Sequence, residues 1–136
     1  MANGADINKR DRNYYAPIEY ALLHEHEDIA KLLIECGCDI FTDRDGFTLM
    51  HTAAYVGSVT IARELEKKGL SIDNQDNGGR TPLFWAVQEG YCDFVKWLLE
   101  KNVQINIEDF DYSTPLRMAS SADYIELVKL LIEYGA

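Results

Sequence analysis

Four stretches of this chain can be laid over one another without a gap. They are APIEYALLHEHEDIAKLLIECGCDI from Ala16, TLMHTAAYVGSVTIARELEKKGLSI from Thr48, TPLFWAVQEGYCDFVKWLLEKNVQI from Thr81 and TPLRMASSADYIELVKLLIEYGA from Thr114. Their starts lie 32, 33 and 33 residues apart, and ANGADIN reads as the tail of an earlier unit. A period of this size restricts the fold more than any single motif does. A unit so short cannot bury its apolar face alone, so successive units must stack into a quasi-one-dimensional solenoid.

Each unit carries the same local instructions. Thr48, Thr81 and Thr114 suit a helix N-cap, where a hydroxyl accepts from an orphan backbone N–H. Pro17, Pro82 and Pro115 follow at the first helical position, where a missing N–H costs nothing. Small residues (Ala21, Ala53, Ala86, Ala119) let a neighbouring helix approach closely. A turn is expected at Glu25, Gly57, Gly90 and Asp123. A second helix follows with apolar residues at i, i+1 and i+4, such as Ile61, Ala62 and Leu65 or Phe94, Val95 and Leu98. It ends at Gly37, Gly69, Asn102 or Gly135, the residue types that most readily take the left-handed C′ conformation. Loss of the threonine cap at Ala16 is expected to cost about 1 kcal/mol. Polar tracts rich in turn residues, FTDRDGF, DNQDNGGR and NIEDFDYS, connect the units.

These residues resemble the ankyrin repeat, whose pattern runs Thr-Pro-Leu-His-x-Ala-Ala through to Leu-Leu-x-x-Gly-Ala-Asp. TPLFWAVQEG, TLMHTAAYVG, LLIECGCDI and ANGADIN carry the match, which covers essentially the whole chain. The resemblance implies an all-α repeat solenoid of helix–turn–helix units joined by β-hairpin loops. It implies a single domain over residues 1–136: a partial repeat at 1–10, repeats at 11–42, 43–75 and 76–108, and an incomplete last repeat at 109–136. The pattern's histidine survives only as His51; Glu19, Phe84 and Arg117 replace it.

The remaining chemistry narrows the function. A net charge of −10 opposes binding to nucleic-acid phosphates or anionic membranes. No run approaches the roughly 18 apolar residues of a membrane span, and the N-terminus lacks the apolar core of a signal peptide. Cys36, Cys38 and Cys92 are too few and too closely spaced for a disulfide framework, which fits a reducing, intracellular and cytoplasmic setting. His24 and His26 precede the second helix of their unit, whereas Cys36 and Cys38 follow it. That helix separates the pairs by roughly 15 Å, too far to share a zinc ion. Cys38 takes a small-residue position and is read as buried, Cys36 as exposed. No nucleophile–base pair or phosphate loop is apparent, so no catalysis, cofactor or metal is expected.

Function then falls to the positions the repeat leaves free to vary. The resemblance implies binding of another protein, or an extended peptide, through loop tips and the concave face of the first helices. The partner-binding candidates are Arg12, Tyr15, Arg44, Phe47, Tyr55, Arg80 and Phe110. The aromatics either contact a partner or fold back onto their own loops. The arginines either form a basic edge or pair with Asp11, Asp45 and Asp76. Tyr20, Trp85 and Met118, before the recurring alanine, are read as packing between helices. The last helix, IELVKLLIEYG, keeps apolar residues on its outer side, and Met1 falls on the last leucine of a second helix. The chain is therefore expected to be cut from a longer array and to associate end to end. The alternative is a structural spacer within such an array.

Overall fold

The computed structural model describes residues 4–41 and 43–136; the reading of Met1 lies outside them. Eight helices occur among these residues. In chain order they are α1 (Pro17–Leu23), α2 (Glu27–Glu35), α3 (Leu49–Val56), α4 (Val59–Lys67), α5 (Pro82–Glu89), α6 (Cys92–Glu100), α7 (Pro115–Ser121) and α8 (Ile125–Glu133). Two short strands, β1 (Asp43–Arg44) and β2 (Phe47–Thr48), precede α3. Each odd-numbered helix packs on the even-numbered one that follows it. The odd helices stack on one another as one row and the even helices as a second. This is the all-α solenoid that the period requires.

The two rows share one continuous core. Leu22, Met50, Leu65, Leu83, Phe94, Leu98 and Leu131 are shut away from solvent. Ala53, Ala86 and Ala119 are buried at the contacts between first helices. The expected punctuation is in place: Glu25, Gly57, Gly90 and Asp123 all have positive φ at the inter-helix turn, as do Gly37, Gly69, Asn102 and Gly135 after the second helices. Asn102, with φ of 58°, confirms that asparagine substitutes for glycine there. Cys38 is buried and Cys36 exposed.

Two sequence expectations need correction. The threonine caps are not equivalent: Thr48 accepts from the Met50 and His51 amides and Thr114 from that of Arg117, but Thr81 makes no cap bond. Its hydroxyl is buried without a partner, and Phe84, standing in the histidine position, has no group to offer it. At Ala16 the missing cap is partly replaced, because the Glu19 carboxylate accepts from the Ala16 amide at 3.1 Å. The second correction concerns the loops. Among the described residues only 43–48 form a paired hairpin, with Asp43 opposite Thr48 and Arg44 opposite Phe47. Asp45 and Gly46 both have positive φ, the requirement of a two-residue turn whose twist suits a hairpin.

Candidate protein-interaction surface

An aspartate stands five residues before each first-helix cap, at Asp11, Asp43, Asp76 and Asp109. At Asp11, Asp76 and Asp109 it folds its own loop. Asp11 Oδ1 accepts from the Asn13 and Tyr15 amides, Asp76 Oδ1 from Gly78 and Arg80, and Asp109 Oδ1 from Asp111 and Ser113. Such side-chain-to-backbone bonds let aspartate impose a turn. The second oxygen reaches sideways, to the Tyr20 hydroxyl from Asp11, to Trp85 Nε1 at 2.9 Å from Asp76, and to Arg80 Nε at 3.1 Å from Asp109. Tyr20 and Trp85 therefore brace the loops rather than merely packing between helices. The bond from Tyr20 holds the Asp11 carboxyl below the ordinary carboxylate range. Burial pushes Asp109 upward, but the Ser113 amide and the Arg80 guanidinium outweigh it and leave the group lowered.

The loops are also tied to one another, which makes the tips a continuous row. Asn77 N–H donates to the Asp45 carbonyl and Phe110 N–H to the Gly78 carbonyl, both at 2.9 Å. At the first junction the link is ionic. Arg44 lies 3.9 Å over the Tyr15 ring, bonds the Tyr14 carbonyl and pairs with Glu19 at 3.1 Å. At the second junction it is histidine: the Thr48 amide donates to His51 Nδ1, so Nε2 carries the proton and donates to the Arg80 carbonyl at 3.0 Å. Burial pushes His51 below its ordinary pKa, which keeps it neutral and preserves this arrangement.

Six of the seven candidate residues come together along this row, and Arg12 stands apart. Phe47 is half-buried, stacked on His51 and edge-on to Trp85 at 5.3 Å. Tyr55 packs on the same Trp85 at 6.0 Å but stays 41% exposed. Arg80 joins Gln88 and Asp109, and Phe110 covers Gly79 while remaining largely exposed. Arg12 is exposed, with no ion pair among the described residues. The arginines therefore pair with Glu19 and Asp109, not with the carboxylates of Asp11, Asp45 and Asp76.

Sequence reasoning passed over Tyr14 and Tyr112. They are 71% and 75% exposed, with φ of 64° and 59°. The inner loops place Gly46 and Gly79 at the same step, three residues after the loop aspartate. Aligning the loops as carefully as the helices would have exposed them.

Comparison with known proteins agrees with this architecture. The family described as ankyrin repeats (3 copies) matches residues 19–109 and 70–136. The chain belongs to the ankyrin-repeat family. An ankyrin-repeat protein of fowlpox virus, FPV223, is 31% identical over 95 residues, 70% of this chain and 67% of the relative. A transient receptor potential cation channel subfamily A member 1 homolog of Caenorhabditis elegans is 28% identical over 68% of this chain, but only 8% of its own length is covered. Alpha-latrotoxin-Lt1a of Latrodectus tredecimguttatus is 33% identical over 66% of this chain and 7% of its own length. Ankyrin repeats are in general protein-interaction modules. Among the described residues no helix is long and apolar enough to cross a membrane.

Proposed function

We propose that this ankyrin segment is a non-catalytic scaffold that grips a partner protein, or an extended peptide of it, along the loop tips and the adjoining first helices. Tyr14 and Tyr112 carry this reading. A bulky residue with φ near +60° is strained by about 1 kcal/mol relative to glycine, and neither ring recovers that by burial. Large aromatics held in water at the tips are typical interface anchors. Tyr55 and Phe110 extend the same surface, while Tyr15, Phe47, Arg44 and Arg80 hold it rigid and present their outer edges. The cytoplasm is the proposed setting, and neither a nucleic acid nor a membrane is the proposed partner.

The test is affinity capture from lysate with mass spectrometry, comparing the parent with a Tyr14→Asn, Tyr55→Ser, Tyr112→Asn variant of matched circular dichroism. Proteins held by the parent and released by the variant support the scaffold. Identical captures, or none, oppose it.

The spacer reading keeps one observation in its favour. Ile29 and Leu32 on α2, and Ile125 and Ile132 on α8, are each more than half exposed. The inner counterparts of Ile29, which are Ile61 and Phe94, and Leu99, the counterpart of Ile132 in the preceding unit, are buried. Further repeats, or end-to-end association of copies, would cover these faces. Sedimentation over a wide concentration range separates the possibilities, since a concentration-independent monomer opposes association.

A further inference from the structure

One packing device repeats at two of the inter-helix turns. The Tyr91 ring lies over Gly57 of the preceding unit, so near that a Cβ added to that glycine would come within 2.8 Å of it. Tyr124 stands over Gly90 in the same manner, at 3.3 Å from such a Cβ, and its hydroxyl reaches the Gln88 carbonyl. At the first junction the same two positions hold Ser58 and Glu25. Glu25 keeps the left-handed backbone, with φ of 60°, but serine is too short to occupy the place of a ring. What remains is a cavity of about 120 Å³ lined by Leu22, Glu25, Glu27, Val56 and Ser58.

The lining specifies an occupant. Leu22 and Val56 supply aliphatic walls. The buried Ser58 hydroxyl donates to Glu27, which leaves that carboxylate with unused acceptor capacity. Neither Glu25 nor Glu27 has a lysine or arginine within 4 Å among the described residues.

We propose that this vacant tyrosine slot receives an arginine side chain of a partner protein. The space lies where a ring sits at the two filled junctions, narrowed on one side by the Glu25 Cβ that glycine lacks there, and its carboxylates call for a cation. Arginine is the side chain that is both planar and permanently charged, and its fork of donors suits carboxylates. Lysine brings a compact, strongly hydrated charge that fills the place of a ring poorly. A phenol matches the ring of the filled junctions but leaves the carboxylates unanswered. The net charge of −10 draws basic segments toward the molecule. This site rests on the protein-binding role proposed above and adds to it a contact at the inter-helix turns, apart from the loop tips.

The experiment is a methyl-detected NMR titration of the chain with acetylated, amidated Gly-Arg-Gly, compared with Gly-Lys-Gly and Gly-Tyr-Gly. Two variants separate shape from charge. Glu25→Gly with Ser58→Tyr fills the slot from within, as at the other junctions. Glu25→Gln with Glu27→Gln keeps the space and removes the charge. The expected result is saturable shifts at the Leu22 and Val56 methyls with the arginine peptide, roughly tenfold weaker binding of the lysine peptide, and loss of the response in both variants. Absence of saturable shifts at those methyls overturns the proposal. So does equal binding of the lysine peptide, tighter binding of the tyrosine peptide, or an arginine response that survives in the filled variant. The tip residues are unaltered in both variants, so failure here leaves the capture experiment to judge the scaffold independently.

Discussion

The junction between α3 and α5 and the junction between α1 and α3 are built from the same repeat by different chemistry. The inner one is apolar and aromatic: Phe47 and Tyr55 meet Trp85, the neutral His51 ties one loop to the next, and Tyr91 covers Gly57. The outer one relies on Arg44 with Glu19 and Tyr15, and leaves a cavity where a tyrosine ring belongs. Aromatic burial is not screened by salt, whereas partly exposed ion pairs are. One fold can therefore carry a firm centre and a more yielding first unit, and the yielding end is where the proposed arginine site lies.

The contrast can be broken most forcefully in the second helices. Phe94→Ala should cost about 3–5 kcal/mol, because its ring is fully buried. The corresponding change Ile29→Ala, at a residue 51% exposed, should cost under about 1 kcal/mol. Urea melts of the two variants check this, and similar losses would mean that the first unit is as tightly packed as the third. The caps give the next largest difference. Thr48→Val should cost about 1–2 kcal/mol by removing acceptors from two amides. Thr81→Val should be neutral or stabilising, since it removes a buried hydroxyl with no partner.

Acid should sharpen the distinction further. His51 has a folded pKa depressed below 6.5 by burial, so the unfolded chain binds the proton more readily. Its contribution is complete above pH 6.5 and is lost as pH falls through the folded value. Thermal melts between pH 7 and 5 should show this loss, and His51→Gln should flatten it while lowering stability at pH 7. The smallest effect belongs to Asp73, whose carboxyl is pushed above 3.8 by burial and whose Oδ1 has no partner. A raised carboxyl favours the fold at low pH and weakens it as pH rises through the folded value. Asp73→Asn, which restores the residue type found at Asn8 and Asn106, should raise the melting temperature slightly at pH 7. That gain should vanish below pH 3.8.

The helical grammar was legible because it is local. Proline, alanine and the left-handed glycine or asparagine each act within a few residues, and their recurrence makes each copy a check on the others. What was illegible depends on contacts across units. The partner of Arg80 is Asp109, 29 residues away, and that of Arg44 is Glu19, 25 residues away; neighbouring carboxylates in the sequence gave no hint of either. The silent cap at Thr81 was not legible, because Thr48, Thr81 and Thr114 share residue type and position and yet only Thr48 and Thr114 accept from a backbone amide. Paired strands are confined to 43–48 among the described residues, although every loop carries an aspartate five residues before its cap, so that difference was not legible either. Tyr14 and Tyr112 were passed over because the positive φ that turns each ring into water is not written in the residue type.

Hydrogen–deuterium exchange on the chain, alone and bound to a protein recovered by capture, tests the scaffold most directly. Slower exchange confined to the loop tips at 11–15, 43–48, 76–81 and 109–114, and to the adjoining first helices, is the result the account requires. Protection restricted to α2 and α8, with the tips unchanged, would contradict it and leave the chain a spacer between neighbouring repeats.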